Sequence, residues 1–255
     1  MKPAWTALAR DQVLVLASLA GITLLAWLYL LHIAMPMPGM DMSRAMTPHS
    51  AWSVTRFALT ALMWAVMMVG MMLPSAAPMI LLFAAVQRRH SAHPTIAILA
   101  FVGSYLLVWG GFSLVAAMLQ HLLGRSRLLS EEMSLVAPWA GGLLFIVAGA
   151  YEVSSLKQRC LDHCRGPLAF MIGHWRPGLA GAVRMGAEHG AYCLGCCWAL
   201  MLLLFVGGVM NLIWVAALAT VVLAQKVVPG GGALARAGGI ALSIVGLVLL
   251  VLGSR

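Results

Sequence analysis

Residues 55–87 read TRFALTALMWAVMMVGMMLPSAAPMILLFAAVQ. After Arg56 no Asp, Glu, Lys or Arg appears until Arg88. A helix crosses the hydrocarbon layer of a bilayer with about 20 mostly apolar residues, and this run is longer than that. The rest of the chain agrees with it. Of 255 residues, 62% are hydrophobic and 9% are charged, and mean hydropathy is +0.96. Soluble domains carry roughly a quarter charged residues. A water-soluble globule is excluded, and the sequence predicts an all-α, polytopic membrane helical bundle.

Working outward from this run, seven spans are expected, at about 12–33, 55–87, 94–121, 134–153, 190–207, 209–226 and 233–252. The first is too long for a signal-peptide core, and no small-residue cleavage site follows it, so it reads as a retained helix. Spans five and six are joined only by Gly207-Gly208 and should form a tight hairpin or a re-entrant pair. Lys and Arg fall eleven to five between the two sides, which sets the N-terminus in the cytoplasm. The protein is thus expected in a bacterial inner membrane, as one multi-pass domain with the lipid bilayer as its first partner. The net charge of +9 belongs to the loops. With no basic stripe among aromatics, nucleic acid is not a partner.

The spans lack acidic residues at mid-depth, where an ionisable group marks a proton or ion path. The chain also lacks GxxxxGK[ST], HExxH and GxSxG. No convincing acid–base pair is present, so the reading leans away from an enzyme.

Three segments carry soft metal ligands. Residues 34–54 form a Met/Pro-rich periplasmic loop with Met35, Met37, Met40 and Met42, followed by Met46 and His49. Thioethers select Cu(I) over hard cations, and prolines and glycine keep such a loop from packing as a core. Within 55–87, Met63, Met67 and Met71 recur one turn apart, with Met68 and Met72 on a neighbouring stripe. Pro74 and Pro78 free carbonyls of the preceding turn, and these with Ser75 could line a cavity. The alternative for the stripe is lipid-facing or interhelical packing.

The sharpest pattern is Glu188-His189-Gly-Ala-Tyr192-Cys193-Leu-Gly-Cys196-Cys197. One helical turn brings Cys193 to Cys196 and Cys197, with His189 a turn earlier. Upstream, a cytoplasmic loop at 154–189 holds Cys160, His163 and Cys164. Thiolates with imidazole suit Cu(I) or zinc. Five cysteines, grouped on the reducing side, read as free thiols or ligands rather than disulfides. CxxC is followed by Cys197 and not His, so c-type haem has no attachment site. A His32/His121 haem pair is weaker than an outer copper site built from those histidines and the loop methionines. Copper is therefore the expected metal, zinc the alternative, and haem is disfavoured. Packing cysteines or a redox dithiol are the competing readings of the cluster.

WAVMMVGMMLPSAAPMI at 64–80, YEVSSLKQRCLDHCRGP at 151–167 and HGAYCLGCCWALMLLLFVGGVMNLIWVA at 189–216 resemble the blocks of one bacterial family of unknown function. That family is described as predicted metal-binding integral membrane proteins. The resemblance covers roughly residues 55–230. It implies an inner-membrane helical protein and a metal role for Cys193, Cys196 and Cys197. The Met-rich loop lies outside these blocks.

Two functions are expected to compete. In one, methionines outside, a methionine stripe across the membrane and thiols inside carry copper inward, for uptake or for delivery to a membrane metalloenzyme such as an oxidase. In the other, the chain is an accessory or structural subunit of a larger membrane complex, with one structural metal or none. Small residues would then favour close helix approach to partners.

Overall fold

The computed structural model describes residues 4–34, 53–90, 93–126, 128–130, 134, 135 and 137–253. Among these residues the chain is helical, and its only extended pairing is a single antiparallel bridge between Leu129 and Leu135. In chain order the helices are α1 (Ala4–Ala34), α2 (Val54–His90), α3 (Pro94–Arg125), α4 (Pro138–Val153) and α5 (Ser155–Arg165). They continue with α6 (Pro167–His174), α7 (Gly178–Leu202), α8 (Leu204–Gly207), α9 (Leu212–Val227) and α10 (Gly231–Gly253).

Local chemistry explains the breaks. Pro94, Pro138 and Pro167 each open a helix at its first position, where a missing N–H costs nothing and φ is already helical. Ser154 caps α5 by accepting from the Lys157 N–H at 3.2 Å, and Asn211 caps α9 by accepting from the Trp214 N–H at 3.2 Å. Gly208 turns the chain between α8 and α9 with φ of 90°, a conformation that favours glycine. α2 runs through both Pro74 and Pro78 without interruption.

Among the described residues, five helices are long and apolar enough to cross a membrane: Gln12–Ala34, Val54–Arg89, Pro94–Arg125, Gly178–Gly207 and Gly231–Leu252. A sixth span arises if Trp139–Val153 and Ser155–Arg165, bent by 63° at Ser154, count as one, and Leu212–Val227 is a shorter apolar helix. The expected seven spans are thus not all present as full-length helices. Span four ends in a sharp bend, and span six has 16 residues, about 24 Å of helix against a hydrocarbon core of about 30 Å. The expected tight hairpin also opens out, because α9 leaves α7 and lies mainly against α2 and α10.

Burial ranks the helices. The apolar windows of α2 and α7 are 61% and 56% buried, against 17% for α1 and for α10. α2 and α7 therefore form the centre, with Trp64, Phe83, Phe101, Tyr105 and Trp109 filling it. The outer faces of α1, α3 and α10 expose Leu25, Leu107 and Leu247. Such faces are compatible with membrane insertion and are rare on soluble surfaces. Glycines set the closest approaches. A Cβ at Gly186 of α7 would lie 2.2 Å from the Phe101 carbonyl of α3, and one at Gly246 of α10 would lie 2.6 Å from the Gly142 carbonyl of α4. Gly149 and Gly239 meet in the same way, so α4 and α10 pack backbone to backbone.

The segment 154–189, expected as a loop, consists of α5, α6 and the first half of α7. Charged residues hid this from a hydropathy reading. Arg184 and Glu188 pair at 2.9 Å one turn apart on α7, which supports a helix with a polar side. Two cations counted as cytoplasmic loop charges, Lys157 and Lys226, are instead buried inside the protein.

Candidate metal centre

α7 carries Cys193, Cys196 and Cys197 within one turn, all about 1% exposed. The Cys196 and Cys197 thiols both turn back on the Cys193 carbonyl, at 3.1 and 3.0 Å. The three residues thus share one turn of α7, a helix that packs mainly against α3 and α5, and Cys197 reaches across to α2. There the Cys197 thiol points at the Met72 thioether sulfur, 3.9 Å away. From α5, Cys164 comes within interaction range of Cys193 and Cys196. Cys160 packs over Gly195, where its sulfur would be 2.9 Å from a Cβ. None of the five cysteines is in a disulfide. The two cysteine groups, far apart in sequence, thus meet in space.

Polar groups close around Cys193. The Lys226 ammonium of α9 donates to the Cys193 sulfur at 2.9 Å and to the Ser75 hydroxyl at 3.0 Å. The Tyr105 hydroxyl of α3 donates to the Met72 carbonyl at 3.1 Å and also lies 3.1 Å from the Cys193 sulfur. Ser75 donates to the same Met72 carbonyl at 2.8 Å. Ser75, expected to line a cavity beside Pro74, does face the cluster.

His189, one turn before Cys193, is 2% exposed. Its ring stacks near Tyr105 and Phe101, with centroids at 5.8 and 6.2 Å, and its Nδ1 has no hydrogen-bond partner. A buried polar nitrogen left in this way is uncommon. His163 stands apart. It stacks on Tyr192 at 4.2 Å and, with His174 and Asp162, lines an open cavity of about 210 Å³ between α5 and α6. Both histidines anchor Nδ1 on the carbonyl four residues back, Arg159 for His163 and Phe170 for His174. Their Nε2 atoms are thereby oriented away from the helix that carries them.

Met63, Met67, Met68, Met71 and Met72 are all 2% exposed or less. The stripe faces the interior and not lipid, running about 13 Å along α2 from Met63 to Met72. Of the five, Met72 is the one whose sulfur meets a thiol. Trp64, among them, donates to Gln120 at 2.6 Å. Met35, Met37, Met40 and Met42 lie outside the described residues.

Among the described residues, no three His, Cys, Asp or Glu side chains are grouped so as to hold one ion. The centre as it stands offers neighbouring sulfurs, a thioether and an orphaned imidazole, but no tetrahedral set of the kind structural zinc takes. Sequence reading missed Lys226 and Tyr105 as parts of this region. A lysine preceded by glutamine at the end of an apolar helix, and a tyrosine inside an apolar run, were the available signals.

The described residues bring soft sulfur donors from three helices together in a buried setting. Residues 61–249 match the model of a family described as PpoB2, copper chaperone, and the chain belongs to that family. Its function is accordingly copper-related. No curated protein and no solved structure matches the chain.

Proposed function

We propose that the protein carries copper as Cu(I) within the bacterial inner membrane and passes it to a membrane metalloenzyme. The observation that supports this best is the buried sulfur cluster of Cys193, Cys196 and Cys197, with Cys164 beside it and the Met72 sulfur in contact. Thiolates and thioethers are soft ligands that favour Cu(I). Weakly held thioethers leading to thiolates give a gradient along which a soft ion moves without ATP. In this reading the N-terminus is cytoplasmic, the methionines of residues 34–54 collect copper outside, and the α2 stripe leads it to α7. Copper is cargo here, bound in order to be released.

Elemental analysis of the detergent-purified full chain tests this. Copper near one equivalent is expected, and loss of most of it in Cys193→Ser with Cys196→Ser while the protein stays in the membrane. Unchanged metal in that double variant would place the site elsewhere. Metal-free protein that co-purifies with other subunits at fixed stoichiometry would instead mark an accessory subunit.

A further inference from the structure

Cys193, Cys196 and Cys197 are buried, so a carrier outside the protein cannot reach them directly. Cargo that enters and leaves needs ligands nearer the surface, and α5 and α6 supply a pair. His163 and His174 are part-exposed and, with Asp162, line the open cavity of about 210 Å³. Their ring centroids are 6.0 Å apart. A metal–imidazole bond is about 2.0–2.1 Å, so one ion shared by two rings sets their centroids about 5–6 Å apart. Each ring is already fixed at Nδ1 by a backbone carbonyl, that of Arg159 at 2.8 Å and that of Phe170 at 3.3 Å, which leaves Nε2 as the nitrogen for a ligand bond. Each ring also lies on an aromatic face, His163 on Tyr192 at 4.2 Å and His174 on Phe170 at 4.5 Å. Rings held in this way lose little freedom when they take a metal.

The same residues join the pair to the sulfur cluster. His163 is followed on α5 by Cys164, which comes within interaction range of Cys193 and Cys196. Tyr192, on which His163 stacks, directly precedes Cys193 on α7. Phe170, on which His174 stacks, also sets its ring against His189 at 5.4 Å. Resting on the copper reading above, we propose that His163 and His174 form an exchange site, where Cu(I) passes between an outside carrier and the buried sulfurs. Among the described residues no three His, Cys, Asp or Glu side chains are grouped to hold one ion. The pair therefore offers two imidazole nitrogens and leaves the other positions around the ion open to a carrier's ligand. Imidazole suits copper, while the softer sulfur ligands select Cu(I), so the pair passes the ion on and the cluster holds it. The step is a ligand exchange. A bond from copper to the carrier breaks as bonds to the two Nε2 atoms form, the carrier's ligand leaves, and no electron moves.

The test uses the full chain in detergent, without oxygen, and Cu(I) supplied as the complex of a colorimetric Cu(I) chelator. Loss of the complex's colour in a stopped-flow instrument gives the rate of transfer, and the final colour gives the copper held at equilibrium. His163→Gln with His174→Gln is expected to slow transfer by about 10-fold or more, the scale on which the partners of a metal site act. The copper held at equilibrium should match the parent. His174→Asn alone serves if the double variant does not assemble, and it should slow transfer in the same way. A parental rate in either variant would overturn the exchange site. So would a fall in the copper held at equilibrium, because the histidines would then belong to the holding site. Failure of the copper reading looks different: the parent chain itself would take no Cu(I), or Cys193→Ser with Cys196→Ser would take it undiminished.

Discussion

Gln225 and Lys226 are neighbours on α9, yet their side chains complete two separate buried polar sites. The Gln225 carboxamide accepts from the Lys157 ammonium at 2.7 Å and donates to Glu152 at 2.8 Å. The Lys226 ammonium donates to Cys193 and Ser75. Successive residues on a helix point about 100° apart, so one turn of α9 serves both the α4–α5 bend and the sulfur cluster. The C-terminal turn of α9 is therefore a junction between a structural ion pair and the sulfur cluster.

The ion pair at the bend should behave as a buried pair does. Glu152→Ala leaves the Lys157 ammonium buried without its carboxylate and is expected to destabilise the protein by about 3–5 kcal/mol. Glu152→Met combined with Lys157→Met should recover most of that loss. Thermal unfolding in detergent checks it, and equal losses in the single and double variants would contradict the pairing.

Tyr105→Phe removes one hydroxyl and keeps the ring. The Met72 carbonyl still accepts from Ser75, and Cys193 still faces Lys226. The change should cost about 1 kcal/mol of a hydrogen bond's worth and weaken Cu(I) binding a few-fold, with the melting temperature little altered. Chelator competition beside a melting curve separates these effects.

The contact between α3 and α7 depends on Gly186. Its substitution by Val places branched carbons where the Phe101 carbonyl and the Ser104 hydroxyl already sit, so the helices must part and the sulfur cluster loses its α3 wall. Gly103 on α3 has nothing within 4 Å of a built Cβ. Gly103→Ala should be tolerated or should stabilise by up to about 1 kcal/mol, the difference in helix propensity. Yield and monodispersity on gel filtration report both, and equal tolerance at the two positions would count against the close approach.

The four methionines Met35, Met37, Met40 and Met42 collect copper in the proposed scheme. Replacing all four by leucine should reduce the copper content of the purified protein only when cells grow at low copper. At high copper the loading should match the parent. Poor membrane insertion of the variant would identify a structural segment instead.

Much of the architecture was legible locally. The apolar run at 55–87 became α2 (Val54–His90), and that at 94–121 became α3 (Pro94–Arg125). The stripe from Met63 to Met72, read from helical spacing, lies wholly inside. The spacing of Cys193, Cys196 and Cys197 placed three sulfurs on one turn. What escaped was burial of charge. Hydropathy treats Lys157 and Lys226 as loop cations and Arg184 and Glu188 as breaks in a span. Yet Lys157 is satisfied by Glu152 across a bend, and Lys226 by a sulfur 33 positions away in sequence. Such pairings exist only once the helices are assembled, so no local window contains them. The same holds for Tyr105, whose partners Met72 and Cys193 lie on two other helices.

The glycine seam between α4 and α10 bears on biosynthesis. α4 leaves the ribosome long before α10, and until α10 arrives the seam side of α4 lacks the backbone it packs against. The Glu152 carboxylate at the end of α4 waits equally for Gln225 of α9. The nascent chain thus carries an unfinished helix through most of its translation, and late synthesis of α9 and α10 closes the seam and the carboxylate's contacts together. Premature termination before α9 would leave α4 with a half-satisfied carboxylate and a bare glycine face.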